Sequence, residues 1–200
     1  MSGGARAAVA AYVEALPKGL ASYSDYQQKG AIFREFLAGL RLRDLAEHLP
    51  PELAELVRSP PPVNAWVSEV HAHAVYEAAC AAFFSDQDAF VEAAYEHNRR
   101  LIEGPLYGIL FKLVSPERVL AGGVSRWTKF HRGQRLLIER VASGHAAVRL
   151  IAPPGLTTAL LARCYGTGFR AALEAAGGTA VTIDVSPSGP GEYRYHASWK

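Results

Sequence analysis

The stretch "EVHAHAVYEAAC", residues 69–80, concentrates residue types that bind metals or move protons: two histidines, two glutamates and a cysteine in twelve positions. On a helix, residues two apart point about 200° away from each other, so His71 and His73 cannot share a ligand. His73, Glu77 and Cys80 differ, because offsets of four and three place them on one face. A His/Glu pair one turn apart is a workable half-site for zinc, with Cys80 as a third ligand. No second His/Cys cluster elsewhere in the chain completes a shell, and the same spacing suits an ordinary hydrogen-bonded helix face. The expectation is a helix face without metal or other cofactor. A metal-assisted enzyme built on His73, Glu77 and Cys80 is the alternative.

Other strings with chemical potential read as scaffolding. "YGTGF" (165–169) lies inside a helical pattern, without the preceding strand that a nucleotide-binding loop requires, so its glycines imply close helix packing. There is no G-x-S-x-G elbow and no P-loop, and Ser115 before Pro116 and Glu117 reads as a helix cap rather than a nucleophile. His97 with Arg99 and Arg100 reads as a solvated, charged helix end. No motif names an enzyme, and a binding or regulatory protein is the expectation.

Charge supplies the better lead. The net charge is +2, yet residues 44–103 hold eleven acids against three bases, whereas 104–149 hold eight bases against two acids. Such division points to an acidic face and a basic face, satisfied within the chain, by a second copy in a homodimer, or by a charged partner. The basic stretch interleaves cations with aromatics, and Arg126, Trp127, Lys129, Phe130, Arg132 and Arg135 are its candidate binding residues. Nucleic acid is not expected, because the sequence pI is near 8.6 and no nucleic-acid motif is present. An acidic peptide or protein segment, or a small ligand, fits better: arginines grip carboxylates in paired hydrogen bonds, and an open sheet edge accepts an added strand.

The elements that must position these residues follow from periodicity. Helices are expected over 4–16, 26–40, 42–49 and from Pro51, with "SPPPV" (59–63) as the clearest joint. A long helix over 64–84 capped by Asn64 follows, then one capped by Asp86 that runs to Val114 with a kink at Gly104–Pro105. Trp66 and Trp127 are expected as core or pocket residues, Trp127 on a stripe with Leu120 and Val124. From residue 134 the pattern changes. "RLLIERV" and "AAVRLIA" flank "ASGH" as a hairpin, a helix ends at Gly177–Gly178, and "SPSGPG" joins two further strands. The class is α+β: an N-terminal helical bundle (1–133), then a ββαββ antiparallel sheet with one packed helix (134–200), in a single domain.

The strings "KGAIFREFLAGL", "AWVSEVHAHAVYEAA", "LFKLVSPERVL", "RWTKFHRG", "YGTGFRAALEAAGG" and "YRYHASW" resemble an uncharacterised myxobacterial paralogous family related to heme-NO-binding and 4-vinyl-reductase-type sensor domains. The resemblance covers residues from about 29 onward. It implies a helical bundle, a small C-terminal sheet and a ligand or partner held between or beside them. Heme-binding relatives clamp propionates with a Tyr-x-Ser-x-Arg motif, for which "YGTGFR" is the nearest string and fails. Cys80 and Cys164 have neither disulfide nor metal spacing, and no apolar run reaches membrane-spanning length. The N-terminal segment reads as a retained amphipathic helix, interrupted by Glu14. A reduced, cytoplasmic protein without a membrane partner is expected.

Overall fold

The structure, a computed structural model, describes residues 2–104 and 114–200. The chain forms two compact units: residues 1–90 with 130–133, and residues 91–129 with 134–200. The element order begins α1 (Ser2–Glu14), β1 (Gln27–Lys29), α2 (Gly30–Leu37), α3 (Leu42–Ala46), α4 (Pro51–Arg58), β2 (Trp66–Ser68), α5 (Glu69–Phe83) and α6 (Gln87–Glu103). It continues α7 (Pro116–Ala121), α8 (Gly123–Phe130), β3 (His131–Arg132), β4 (Arg135–Ala142), β5 (His145–Ile151), α9 (Ala159–Ala175), β6 (Thr182–Gly189) and β7 (Glu192–Ser198). The α+β class and the ββαββ order stand as expected.

In the first unit α1 packs along α5, and the core gathers aromatic rings: Phe36 lies 4.2 Å from Tyr76 and 5.6 Å from Phe90, centroid to centroid. Two expected helix starts are strands instead. Residues 27–29 and 66–68 pair with each other and with residues 131–132 in a small antiparallel sheet of order β2-β1-β3. Consequently the cap of α5 is Ser68, whose hydroxyl accepts from His71 N, and not Asn64. The proline-rich stretch is pinned against α2: Arg34 donates to the Pro60 carbonyl at 2.7 Å, and Ala31 N to the Val63 carbonyl at 2.9 Å. A Cβ on Gly30 would collide with the Pro62 carbonyl, so only glycine lets the two segments approach this closely.

In the second unit β4-β5-β7-β6 form an antiparallel sheet whose buried face meets α9. The expected hairpin at "ASGH" is present, with Gly144 at φ 76°. Gly166 lets α9 lie close on the sheet, since a Cβ there would meet Val185 at 3.1 Å, which is the packing role expected of "YGTGF". The helix ends in a Schellman motif: Gly178 N bonds Leu173 O and Gly177 N bonds Glu174 O, each at 3.0 Å, with Gly177 at φ 91°. Asp86 caps α6 as expected, accepting from Ala89 N at 2.8 Å, while the expected run of that helix beyond Gly104 falls in residues outside those described. Trp127 packs on Tyr165 and Phe169, but Val124 is 42% exposed. The stripe breaks because Gly122 ends α7, so Leu120 and Val124 do not ride one continuous helix.

Candidate functional site

The small sheet sorts its side chains by the two-residue alternation of strands. Antiparallel partners share a face, so Gln28, Val67 and His131 point one way and Gln27, Lys29, Trp66 and Arg132 the other. The first set is buried, at 1%, 3% and 5% exposure. Against it α5 presents Glu69, His73 and Tyr76, at offsets of four and three along one helix stripe and all buried.

The contacts between these layers are polar. His131 Nδ1 donates to Glu69 Oε1 at 2.7 Å, Gln28 Nε2 donates to the Tyr76 hydroxyl, and the Tyr12 hydroxyl lies 3.5 Å from His73 Nδ1. Burial, then the Glu69 and Glu77 charges, hold the Tyr12 phenol well above its ordinary pKa, so it stays protonated. "EVHAHAVYEAAC" is thus a site-like constellation in a different register from the one its spacing first suggested. Sequence reasoning missed Glu69 and Tyr76, although they share with His73 a helix stripe that was legible in the spacing, and missed Tyr12, Gln28 and His131, which come from remote elements.

The metal alternative fares differently. His71 faces Glu52 on α4, at 3.8 Å, whereas His73 faces Tyr12 on α1, so the two histidines diverge as their spacing requires. Burial, with Glu77 and Asp86 nearby, pushes the Cys80 thiol up to about 11. Among the described residues no three His, Cys, Asp or Glu side chains gather as a metal site.

The outward face of the small sheet holds the second feature. Lys29 Nζ lies 4.0 Å and the Arg132 guanidinium carbon 3.9 Å from the centroid of the same Trp66 ring. Trp66 is half-buried. Lys29 also donates to the Asn64 carbonyl at 2.9 Å, and Arg132 to Gln27 Oε1 at 3.4 Å. Among the described residues no carboxylate pairs with either cation.

The other expected basic-stretch residues have varied fates. Arg126 turns back to cap α7, donating to the Val119 carbonyl at 2.9 Å and the Arg118 carbonyl at 3.4 Å. Trp127 belongs to the apolar packing of the second unit. Lys129 and Arg135 are exposed and Phe130 is half-buried. Arg149, the last base of the 104–149 stretch, is neutralised by Glu139 at 2.9 Å and Glu192 at 3.4 Å, and Arg194 joins Glu139 at 3.1 Å. On α6, Arg99 is likewise paired with Glu96 and Glu103.

The nearest string to a propionate clamp lies on α9. There Arg170 is five positions from Tyr165, pairs with Glu174 at 2.9 Å and stacks on Tyr95, while Tyr165 packs against Trp127 and accepts from Gln134.

These two arrangements sit on a fold that has solved counterparts. The structure is similar to the Fe(II) unliganded H-NOX protein from K. algicida, with a TM-score of 0.62 at 12% identity, covering 86% of this chain and 96% of that one. It is similar also to an oxygen-binding H-NOX domain related to soluble guanylate cyclases, with a TM-score of 0.57 at 8% identity over 86% and 92% of the two chains. A T. Tengcongensis H-NOX variant gives a TM-score of 0.53 at 10% identity over 86% and 97%. The chain therefore has an H-NOX-like α+β fold. No family model and no curated protein matches its sequence. No helix among the described residues is long and apolar enough to cross a membrane.

Proposed function

We propose that this protein is a non-enzymatic binding protein on an H-NOX-like scaffold, and that Lys29, Trp66 and Arg132 capture an acidic peptide segment of a partner. The observation that carries this reading is the stacking of two cations on one indole with no carboxylate among the described residues to neutralise them. Stacking fixes the planar guanidinium while leaving its N–H edges to meet a carboxylate in a bidentate pair. Trp66 adds an apolar surface for the segment's carbon chain, an anchor type common in binding hot spots.

One solved counterpart is an oxygen complex and others concern heme distortion and heme redox potential, so heme is weighed against this chain's own residues. The "YGTGFR" string does not fit a Tyr-x-Ser-x-Arg clamp: its arginine is one position too far along and already paired, and its tyrosine is packed against Trp127. No role here is routed through heme.

The reading is tested by fluorescence anisotropy with a labelled glutamate-rich decapeptide. Saturable binding that weakens as salt rises, and that Trp66→Ala reduces at unchanged melting temperature, supports it. Equal anisotropy for the acidic peptide and a lysine-rich control overturns it.

A further inference from the structure

A second concave surface lies in the first unit, apart from the small sheet's outward face. Helix α1 and the turn between α3 and α4 flank an open groove of about 420 Å³, within the size range of small-molecule sites. Its floor and walls are apolar, from Val9, Ala10, Val13 and Leu49, and its polar groups are Arg6 and His48.

The order along α1 gives the groove a polarity. Arg6 comes first, Val9 and Ala10 lie one turn later, and Val13 another turn on, all on one face by the three- and four-residue rule. From Arg6 to Val13 the helix rises roughly 10 Å, the reach of a medium-length alkyl chain. Ala10 is small and exposed, so the wall recedes where a larger residue would fill it. Arg6 touches the Glu47 carbonyl at 3.4 Å, and among the described residues no carboxylate pairs with it. A cation at one end of an apolar trough complements one chemistry: an anionic head with a hydrocarbon tail.

We infer that this groove binds a medium-chain fatty acid, with its carboxylate at Arg6, beside His48, and its chain along Val9, Ala10 and Val13. The site is independent of the peptide site proposed above. The probe is sodium decanoate below its micellar concentration, titrated calorimetrically into the full chain, with decanol and decyltrimethylammonium as controls. The expected result is saturable one-to-one binding of decanoate, weakened about tenfold or more by Arg6→Gln, since a hydrogen bond to a charged group is lost. Decanol binding is unchanged by that substitution. Ala10→Trp fills the groove and abolishes decanoate binding, while its circular dichroism and melting temperature match the parent. The inference is overturned by an absence of saturable heat, by decanoate binding to Ala10→Trp as to the parent, or by equal binding of the cationic surfactant. It is also overturned if light scattering shows a dimer that Ala10→Trp dissociates, since a second copy then covers the groove.

Discussion

The two sheets of this protein differ in where their polar pairs lie, one inward and the other outward. The three-stranded sheet meets its acid on the inner face: Glu69, on α5, is fully buried and its partner His131 nearly so, joined across 62 residues of sequence. In the four-stranded sheet the buried face is apolar, with Leu150, Val148 and Tyr195. Glu139, Arg149, Arg194 and Glu192 form a partly exposed network instead. The size of the sheet accounts for the difference. Three strands of two or three residues have little apolar surface to bury, so polar pairs with specific geometry fix their register to α5. Four strands of seven or eight residues bury a hydrophobic layer and need no internal charge.

That contrast can be broken by experiment. Glu69→Ala leaves His131 buried beside an empty position, and the expected cost is about 3–5 kcal/mol of stability by denaturant unfolding. A loss under about 1 kcal/mol would show that the pair holds nothing in register. Trp127→Ala removes an aromatic that packs on Tyr165 and Phe169 in the second unit. The expected loss is about 3 kcal/mol, and an unchanged melting temperature would place the ring outside the packing.

Gly133→Ala probes the end of the small sheet. Gly133 has φ 83°, and a Cβ there would stand 2.8 Å from the Tyr26 ring, so a cost of about 1–3 kcal/mol is expected. An alanine variant as stable as the parent would mean that the turn relaxes freely. Smallest of all is Glu139→Gln on the outer network of the larger sheet, expected to cost under about 1 kcal/mol and less still in high salt. A penalty matching that of Glu69→Ala would erase the distinction between the two sheets.

What could be read from the chain tracks how local each signal is. The "ASGH" hairpin, the Asp86 cap and the Gly177–Gly178 stop need only a few neighbouring residues, and each appears where its chemistry placed it. The small sheet was invisible because alternation over "QQK", "WVS" and "HR" is too short to separate from the helical patterns beside them. Its pairing partners are also remote, as Arg132 and Gln27 lie 105 residues apart. The aromatic–cation spacing around residues 126–135 drew attention to the basic stretch. Spacing could not show that Arg126 would be spent on the carbonyls of α7, or that Trp66, assigned to a helix, would carry the stacked cations.

The proposal is that the cations over Trp66, which no carboxylate pairs among the described residues, rather than positive charge in general, capture an acidic segment. Charge reversal at Arg132 and at Arg149 separates the two, because Arg149 is already neutralised by Glu139 and Glu192. With the glutamate-rich peptide at low salt, Arg132→Glu is expected to weaken binding about tenfold or more, and Arg149→Glu to leave it within about twofold. Equal losses in both variants, or a larger loss at Arg149, would contradict the account.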